Sequence, residues 1–241
     1  MLILFRTWWR DQTQERGVAS TTCLLFRNLW IFLRDSTPER RRQRYGDMEY
    51  DWEHRVNTTS GTLSWRERLL GTFHSPYQPT DPALFQEMMS ALPIQFDEFT
   101  FIDIGSGKGR TLLMASEYPF QKIIGVELLP QLHLVAQENL RQYHSESQKC
   151  FAFEPVCGDA TTFSFPAGPL VLYLFNPLPE SGLRQMLGNL DRSLTANPRP
   201  AYVLYHNPLL EHVLAGSAQL TRLGRTESYS LYCFSDATQT H

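Results

Sequence analysis

Short apolar runs alternate with longer amphipathic segments from about residue 82 to the end of the chain. Five runs predict buried strands, namely FTFIDI (99–104), KIIGVE (122–127), FEPVCGD (153–159), PLVLYLF (169–175) and AYVLYH (201–206). The segments LPQLHLVAQENLRQY (129–143) and PESGLRQMLGNLDRSL (179–194) carry apolar residues at helical spacing. Two further strand candidates, QLTRLGRT (219–226) and SYSLYCFS (228–235), have no room for a helix between them. We expect an α/β fold, a doubly wound and mostly parallel seven-stranded sheet with an antiparallel hairpin at one edge.

The first part of the chain has a different pattern. Residues 1–45 predict one or two helices, in which Leu25, Leu29 and Phe32 recur at helical spacing. Residues 45–80 contain more Gly, Pro, Asn and Thr and predict loop and short helix around the core. We therefore divide the chain into a helical N-terminal extension, residues 1–75, and a sheet domain, residues 76–241.

Composition and charge narrow the possible partners. Hydrophobic residues make up 42% of the chain and charged residues 20%, which is typical of a globular protein. Residues 1–45 hold nine arginines and four acidic residues, although the whole chain has a net charge of −3. This basic segment is suited to contact with a membrane surface or a partner, or it is a solvated helix face, and both remain open. The overall pI of about 6.2 disfavours nucleic acid as the main partner.

The cysteines and the hydropathy pattern bear on compartment. The four cysteines are scattered without a CxxC pair, which argues for a reducing compartment and against a disulfide framework or a zinc site. No metal site is expected. No stretch reaches the roughly 20 apolar residues of a membrane span, and MLILF is too short for a signal-peptide core. We expect a cytoplasmic protein without a transmembrane segment.

The segment DIGSGKG (103–109), at a predicted strand-to-helix junction, has the clearest chemical signal. Glycines at such a junction let the backbone lie close to a ligand, and the start of the helix offers N–H groups. A phosphate loop would need Gly in place of Ile102 and Ser or Thr in place of Gly109. A dinucleotide loop would need Gly in place of Arg110. The loop is instead G-x-G-x-G, with Asp103 two positions before the first glycine.

Polar residues also end the next three predicted strands. Glu127 can accept protons from both hydroxyls of a ribose, and Asp159 can accept from an adenine amino group. Asn176 follows the fourth strand, where open α/β sheets bind ligands. Each of these residues alone is also a suitable cap or turn residue. A series of four, one at each strand end, favours a binding site.

Residues 77–180 resemble class I (Rossmann-like) S-adenosylmethionine-dependent methyltransferases in DIGSGKGR, IIGVE and NPLP. The similarity is to uncharacterised bacterial members and, more distantly, to non-SET protein-lysine methyltransferases. It implies that S-adenosylmethionine is the cofactor and that residues 76–241 bind it. The donor-binding residues that it implies are Tyr77, Thr80, Asp103, Gly105, Ser106, Gly107, Gly109, Glu127, Asp159 and Asn176.

The acceptor is less well defined by the same resemblance. Asn176 begins a segment, NPLP, that resembles the [DN]PP[YF] loop of amino-group methyltransferases, but Leu178 and Pro179 replace its second proline and its aromatic residue. A nucleic-acid base is therefore disfavoured relative to a protein or a small molecule, with a lean towards an amine nitrogen such as that of protein lysine. The candidate catalytic residues are Asn176, Tyr205 and His206, the last two at the end of the fifth strand.

Two other readings remain open. An NAD(P)-dependent oxidoreductase would share the glycine turn and an acid at the position of Glu127, but its pattern needs Gly where this chain has Arg110. A non-catalytic donor-binding or interaction protein of the same fold is the other alternative. It predicts a damaged donor site, whereas the acids and glycines of this sequence are all present.

Overall fold

The computed structural model describes residues 9–10, 13–14, 17–23, 25–27, 48–59 and 79–234. The chain divides into two compact units, one formed by Met1–Glu53 and Thr59–Pro79 and the other by His54–Thr58 and Thr80–His241. The described residues between 9 and 27 are helical, and α1 spans Met48–His54. Within the first unit, the Asp51 carboxylate accepts the Thr59 main-chain N–H at 2.9 Å.

The second unit alternates strands and helices. Its elements are α2 (Pro82–Ser90), β1 (Thr100–Ile104), α3 (Arg110–Ala115), β2 (Lys122–Glu127), α4 (Pro130–Gln142), β3 (Phe153–Cys157), β4 (Leu170–Leu174), α5 (Glu180–Ala196), β5 (Ala201–His206), α6 (Glu211–Ala215), β6 (Leu220–Arg225) and β7 (Tyr229–Phe234). Single 3₁₀ turns lie at Phe96–Glu98 and Ala160–Thr162.

The seven strands form one sheet in the order β3-β2-β1-β4-β5-β7-β6. The first five strands are parallel, and β7 is antiparallel to both β5 and β6. The predicted α/β fold with a mostly parallel seven-stranded sheet is confirmed, as is the terminal hairpin. The last strand of the chain is not the edge strand, because β7 lies between β5 and β6.

The core lies on both faces of the sheet, because β1 and β4 are buried along their whole length. On one face, Ile102, Leu172 and Val203 pack with the apolar side of α5. On the other face, Phe101 and Tyr173 contact the ring of Phe85 from α2 at centroid distances of 6.0 Å. Burying a side chain of this size stabilises the fold by about 1.5–3 kcal/mol.

The strand order reverses next to β1, since the chain passes from β1 to β2 and β3 on one side and to β4 and β5 on the other. Open α/β sheets bind ligands outside the carboxyl ends of the strands at such a reversal. The loops that follow β1, β2 and β4 meet there, and these are the loops that contain the sequence motifs.

Candidate functional site

The loop between β1 and α3 depends on its glycines. Gly105, Gly107 and Gly109 have φ values of 81°, 55° and 85°, a region that residues with side chains rarely adopt. A methyl group added to Gly105 would lie 2.6 Å from Pro177 Cβ, and one added to Gly109 would lie 3.2 Å from Ala136 Cβ. The loop is therefore packed between the segment that follows β4 and the helix α4.

The main chain and a buried serine fix the same loop against β2. The N–H groups of Gly105 and Ser106 both donate to the Val126 carbonyl, at 2.8 and 3.1 Å. Ser106 is buried, and its Oγ lies 2.9 Å from where a methyl group on Gly125 would be. The small residue at position 125 thus gives the loop room to approach the strand.

Two buried carboxyl groups border the loop. Asp103 is 3% exposed, and its burial together with the neighbouring Glu127 carboxylate raises the pKa of Asp103 to about 8. A hydrogen bond with the Thr111 side chain opposes this shift in pKa. An ionised Asp103 is therefore held at an electrostatic cost, which a cationic group beside it would relieve.

Glu127 is tied to the loop from the end of β2. Its Oε2 accepts the Gly107 N–H and its Oε1 accepts the Leu129 N–H, both at 2.8 Å. Burial raises the pKa of Glu127, and these main-chain bonds oppose the shift. Each carboxylate oxygen has a second acceptor site, so Glu127 can also accept hydrogen bonds from the hydroxyls of a ligand.

Asp159 is exposed at the end of β3 and caps the 3₁₀ turn that follows. Its Oδ1 accepts both the main-chain N–H and the hydroxyl of Thr161, each at 2.8 Å. The neighbouring Gly158 N–H donates to the Glu127 carbonyl at 2.9 Å, which brings the Asp159 loop to the end of β2. The structure thus gives Asp159 a capping role at the edge of the site.

The Asn176 side chain is engaged with the loop after β5. Its Nδ2 donates to the Asn207 carbonyl at 2.6 Å, and its Oδ1 accepts the Tyr205 hydroxyl at 2.8 Å and the Leu209 N–H at 3.4 Å. Asn176 itself has a φ of 46°, a conformation that Asn tolerates better than most residues. Its amide therefore joins two loops of the protein.

Tyr205 and His206, expected to face one crevice, are the last two residues of β5 and leave the sheet on opposite faces. Tyr205 packs in the core on the α5 face, and its hydroxyl accepts the Leu210 N–H at 3.2 Å. Burial raises the pKa of Tyr205 to about 12. The hydroxyl is therefore protonated at neutral pH, and it donates to Asn176 Oδ1.

His206 ends a buried polar chain on the other face. Its Nδ1 lies 2.7 Å from the Tyr173 hydroxyl, which lies 2.7 Å from the Thr80 hydroxyl. Burial lowers the pKa of His206 to about 4, opposed by the charge of Asp81. The ring is therefore neutral at pH 7, and it stacks on Phe175 at 3.9 Å.

This polar chain adjoins the buried acid of β1. Tyr173 is the register partner of Asp103 on the neighbouring parallel strand, so their side chains leave the sheet on the same face. Burial raises the pKa of Tyr173 well above its ordinary value, with a smaller contribution from the Asp103 charge. The structure thus brings Thr80, Asp103 and His206 to one region, whereas Tyr77 lies outside the described residues.

Sequence reasoning missed three buried polar residues that support the glycine loop. Lys108, Arg110 and Asn139 are between 2 and 3% exposed. Asn139 lies on the buried side of α4, in line with Leu132 and Ala136. A polar residue within an otherwise apolar helical stripe is the signal that identifies it, because a buried amide needs hydrogen-bond partners.

Among the described residues, no group of three or more His, Cys, Asp or Glu side chains is arranged to hold a metal ion. Within the same residues, no helix combines the length and apolar character needed to cross a membrane. The basic residues of positions 1–45, except Arg10 and Arg27, lie outside this part of the chain.

No family model and no curated protein sequence matches this chain. Solved structures do match it. An RNA methyltransferase from Salinibacter ruber, in complex with S-adenosyl-L-homocysteine, is 18% identical, with 65% of this chain and 92% of that chain covered and a TM-score of 0.42. A predicted N6-adenine-specific DNA methylase from Listeria monocytogenes is 15% identical, covering 65% of this chain and 51% of that one, with a TM-score of 0.47.

A third structure, a putative methyltransferase from Pseudomonas syringae, is 14% identical, with 63% of this chain and 96% of that chain covered and a TM-score of 0.47. All three are named as methyltransferases or methylases. What each of them methylates is a property of that protein.

Proposed function

We propose that this chain is an S-adenosylmethionine-dependent methyltransferase. The observation that carries the proposal is the pair of buried acids, Asp103 and Glu127, at the carboxyl ends of adjacent strands. They flank a loop whose glycines have positive φ, and in which Gly105 is exposed. Buried groups whose ionisation is electrostatically costly are typical of binding sites.

The chemistry of the acids fits the two ends of S-adenosylmethionine. Its amino-acid end carries an ammonium group, for which Asp103 is the candidate partner, and its ribose carries two hydroxyls, for which Glu127 is the candidate acceptor. Asp159, beside the end of β2, is the candidate acceptor for the adenine amino group. A dinucleotide would bring a negatively charged pyrophosphate to the same loop, which would make ionisation of the buried Asp103 still more costly and would give it no cationic partner.

The chain's own contribution to methyl transfer is positioning. When bound, S-adenosylmethionine supplies an activated methyl group that a nucleophile displaces directly. The protein has to hold the nucleophile and the methyl carbon about 3–3.5 Å apart and in line. His206 is neutral at pH 7, so it adds no positive charge beside a cationic donor.

We further propose that the acceptor is an amine nitrogen, such as that of a lysine side chain in a protein. The half-buried ring of Phe175, stacked on His206, supports this choice, because aromatic faces attract cationic and amine groups. With a pKa of about 4, His206 is too weak a base to take the proton of an amine acceptor. The acceptor therefore has to be deprotonated already when it attacks, and methylation should become faster with rising pH towards about 10.

A thermal-shift comparison of the purified chain with S-adenosylmethionine, S-adenosylhomocysteine, NAD and NADP tests the donor. Saturation at about a hundred times the dissociation constant stabilises a protein by roughly 2.7 kcal/mol. We expect stabilisation by the first two ligands, reduced in Glu127→Gln and retained in Glu146→Gln, an exposed acid on another loop. Stabilisation by NAD or NADP alone would replace the proposal with the oxidoreductase reading.

Transfer of labelled methyl groups to proteins and small amines separates an enzyme from a donor-binding protein. Labelled lysine in a protein acceptor, identified by mass spectrometry, is the expected result. Donor binding without transfer to any of these acceptors would favour the non-catalytic alternative.

A further inference from the structure

The side chain of Asn139 forms three hydrogen bonds that join distant parts of the second unit. Its Oδ1 accepts the Asn57 main-chain N–H at 2.8 Å, and its Nδ2 donates to the Asn57 carbonyl at 3.0 Å. The same Nδ2 donates to the Lys108 carbonyl at 2.8 Å. The amide thus pairs with both main-chain groups of residue 57 and also holds a carbonyl inside the glycine loop.

Residues 54–58, here called the strap, contact the loop and α4 through further groups. The Lys108 ammonium donates to Asn57 Oδ1 at 3.2 Å, and the Arg110 Nε donates to the Thr58 hydroxyl at 2.7 Å. Both cations are almost completely buried, so these polar contacts matter for keeping them there. The His54 ring also stacks on Tyr143, directly after α4, with centroids 5.3 Å apart.

Side chains from two other elements hold the middle of the glycine loop, in addition to its main-chain bonds to Val126. Lys108 lies between Gly107 and Gly109, both with positive φ, and glycine gives the backbone wide conformational freedom. The Gly107 N–H is bonded to Glu127, and the Lys108 carbonyl is bonded to Asn139. Two peptide groups of the loop, those on either side of the 107–108 peptide, are therefore fixed by the candidate ribose acceptor and by the residue that binds the strap.

We propose that Asn139 is a positioning residue for the donor, through which the strap, more than 40 residues upstream of the glycine loop, sets donor affinity. The proposal rests on the proposed function, because it assigns the loop to donor binding. It makes residues 54–58 part of the binding site even though they belong to the N-terminal part of the sequence. No sequence motif indicates this connection.

Affinity for S-adenosylhomocysteine, measured by calorimetry on the full chain, tests the role of Asn139. Asn139→Ala should weaken binding at least tenfold at a temperature where circular dichroism shows that the variant is folded. Asn189→Ala is the matched control, because its Nδ2 also donates from a helix to a loop carbonyl, that of Phe163, at 2.6 Å. The control should lose some thermal stability and keep its affinity within about twofold. Equal affinities for the two variants would overturn the proposal.

A double-mutant cycle tests whether the strap acts through the loop. Thr58→Val removes the hydroxyl that accepts from Arg110 while keeping the shape of the side chain. Residues that act as one unit have non-additive effects. We expect the double variant Thr58→Val with Asn139→Ala to bind several times more tightly than the product of the two single losses predicts. Strict additivity would mean that the strap and Asn139 act separately, contrary to the proposal.

Hydrogen exchange without ligand separates this inference from the proposed function. In Asn139→Ala, the amides of residues 105–110 should exchange at least tenfold faster, whereas those of α5 should not change. Unchanged exchange in the loop would overturn the inference whatever the protein binds. Faster exchange in a protein that binds no S-adenosylhomocysteine would retain the structural role of Asn139 and refute its role for that donor.

Discussion

Two neighbouring regions at the carboxyl edge of the sheet differ in how their polar groups are satisfied. We call the glycine loop with Asp103 and Glu127 the donor side, and Asn176 and Tyr205 with their loops the acceptor side, after the roles proposed for them. On the donor side, burial and mutual repulsion raise the pKa of Asp103. On the acceptor side, Asn176 and Tyr205 bond to each other and to nearby main-chain groups. A buried carboxyl whose ionisation is costly is typical of a binding site, whereas polar groups that satisfy one another are typical of structural support.

Replacing a glycine of the donor side should have the largest effect. Gly105→Ala places a side chain at a φ of 81° and 2.6 Å from Pro177 Cβ. The backbone strain alone costs about 1–3 kcal/mol, and the contact adds to it. We expect a lower melting temperature and no measurable donor binding, by calorimetry and circular dichroism.

Gly188→Ala is the control for this substitution. Gly188 lies inside α5, and the nearest atom to an added methyl group is the end of the Arg192 side chain at 3.8 Å. Alanine should stabilise the helix by about 0.5–1 kcal/mol. If Gly105→Ala kept the melting temperature and donor binding of Gly188→Ala, the tight backbone of the loop would not be needed for donor binding.

Removing the buried carboxyl group of Asp103 should weaken donor binding but stabilise the ligand-free protein. Asp103→Asn loses a charge-assisted contact worth about 1.5–3 kcal/mol, or roughly a ten- to hundredfold loss of affinity for S-adenosylmethionine. The ligand-free variant should be more stable than wild type at pH 8, because the buried charge beside Glu127 is gone. Exposed Asp97→Asn should change neither quantity. A variant that binds the donor less tightly and is also less stable than wild type at pH 8 would make Asp103 a structural residue.

The stability of the ligand-free protein should also depend on pH. Because the pKa of Asp103 is raised to about 8 in the folded state, Asp103 contributes to the free energy of unfolding at low pH, and this contribution is lost as pH rises towards 8. His206 has the opposite effect, because its pKa is lowered to about 4 in the folded state. Its contribution to the free energy of unfolding is lost as pH falls below about 6.5. Between pH 6.5 and 8, urea unfolding should therefore show wild-type stability falling and Asp103→Asn stability nearly constant. Parallel curves would contradict the assignment.

On the acceptor side, the effect should be smaller and confined to stability. Tyr205→Phe removes the hydroxyl that bonds to Asn176 and Leu210. Loss of these bonds should lower the free energy of unfolding by about 1–3 kcal/mol, while donor affinity changes less than threefold. A tenfold loss of donor affinity in Tyr205→Phe would mean that donor binding depends on both sides, contrary to the comparison.

The features that the sequence predicts are local. Apolar runs predict β1 and β4 because every residue in them is buried, and glycine spacing predicts the loop because the turn itself requires positive φ. Side chains alternate along a strand, so the adjacent residues Tyr205 and His206 have to leave the sheet on opposite faces. Their shared position at the end of a strand had nevertheless indicated one crevice.

The remaining features depend on contacts between distant positions. Asn57 and Asn139 are 82 residues apart, and neither lies in a motif. The position of β7 between β5 and β6 reflects pairing that hydropathy does not specify. The position of the Asn176 side chain is likewise fixed by hydrogen bonds to the end of β5 and the loop after it, about 30 residues further along the chain. Hydropathy and motif patterns predict which residue types lie at strand ends, but not the hydrogen-bond partners of those residues.

The pH dependence of S-adenosylmethionine affinity in wild type and Asp103→Asn tests the central claim most directly. If an ionised Asp103 binds the cationic end of the donor, binding below pH 8 has to release its proton. Wild-type affinity, divided by that of the variant to remove the titration of the donor itself, should rise about eightfold between pH 6.5 and 7.5 and level off above about pH 9. A ratio that stays constant with pH would show that Asp103 does not bind the donor's charge, and the account of the donor side would fail.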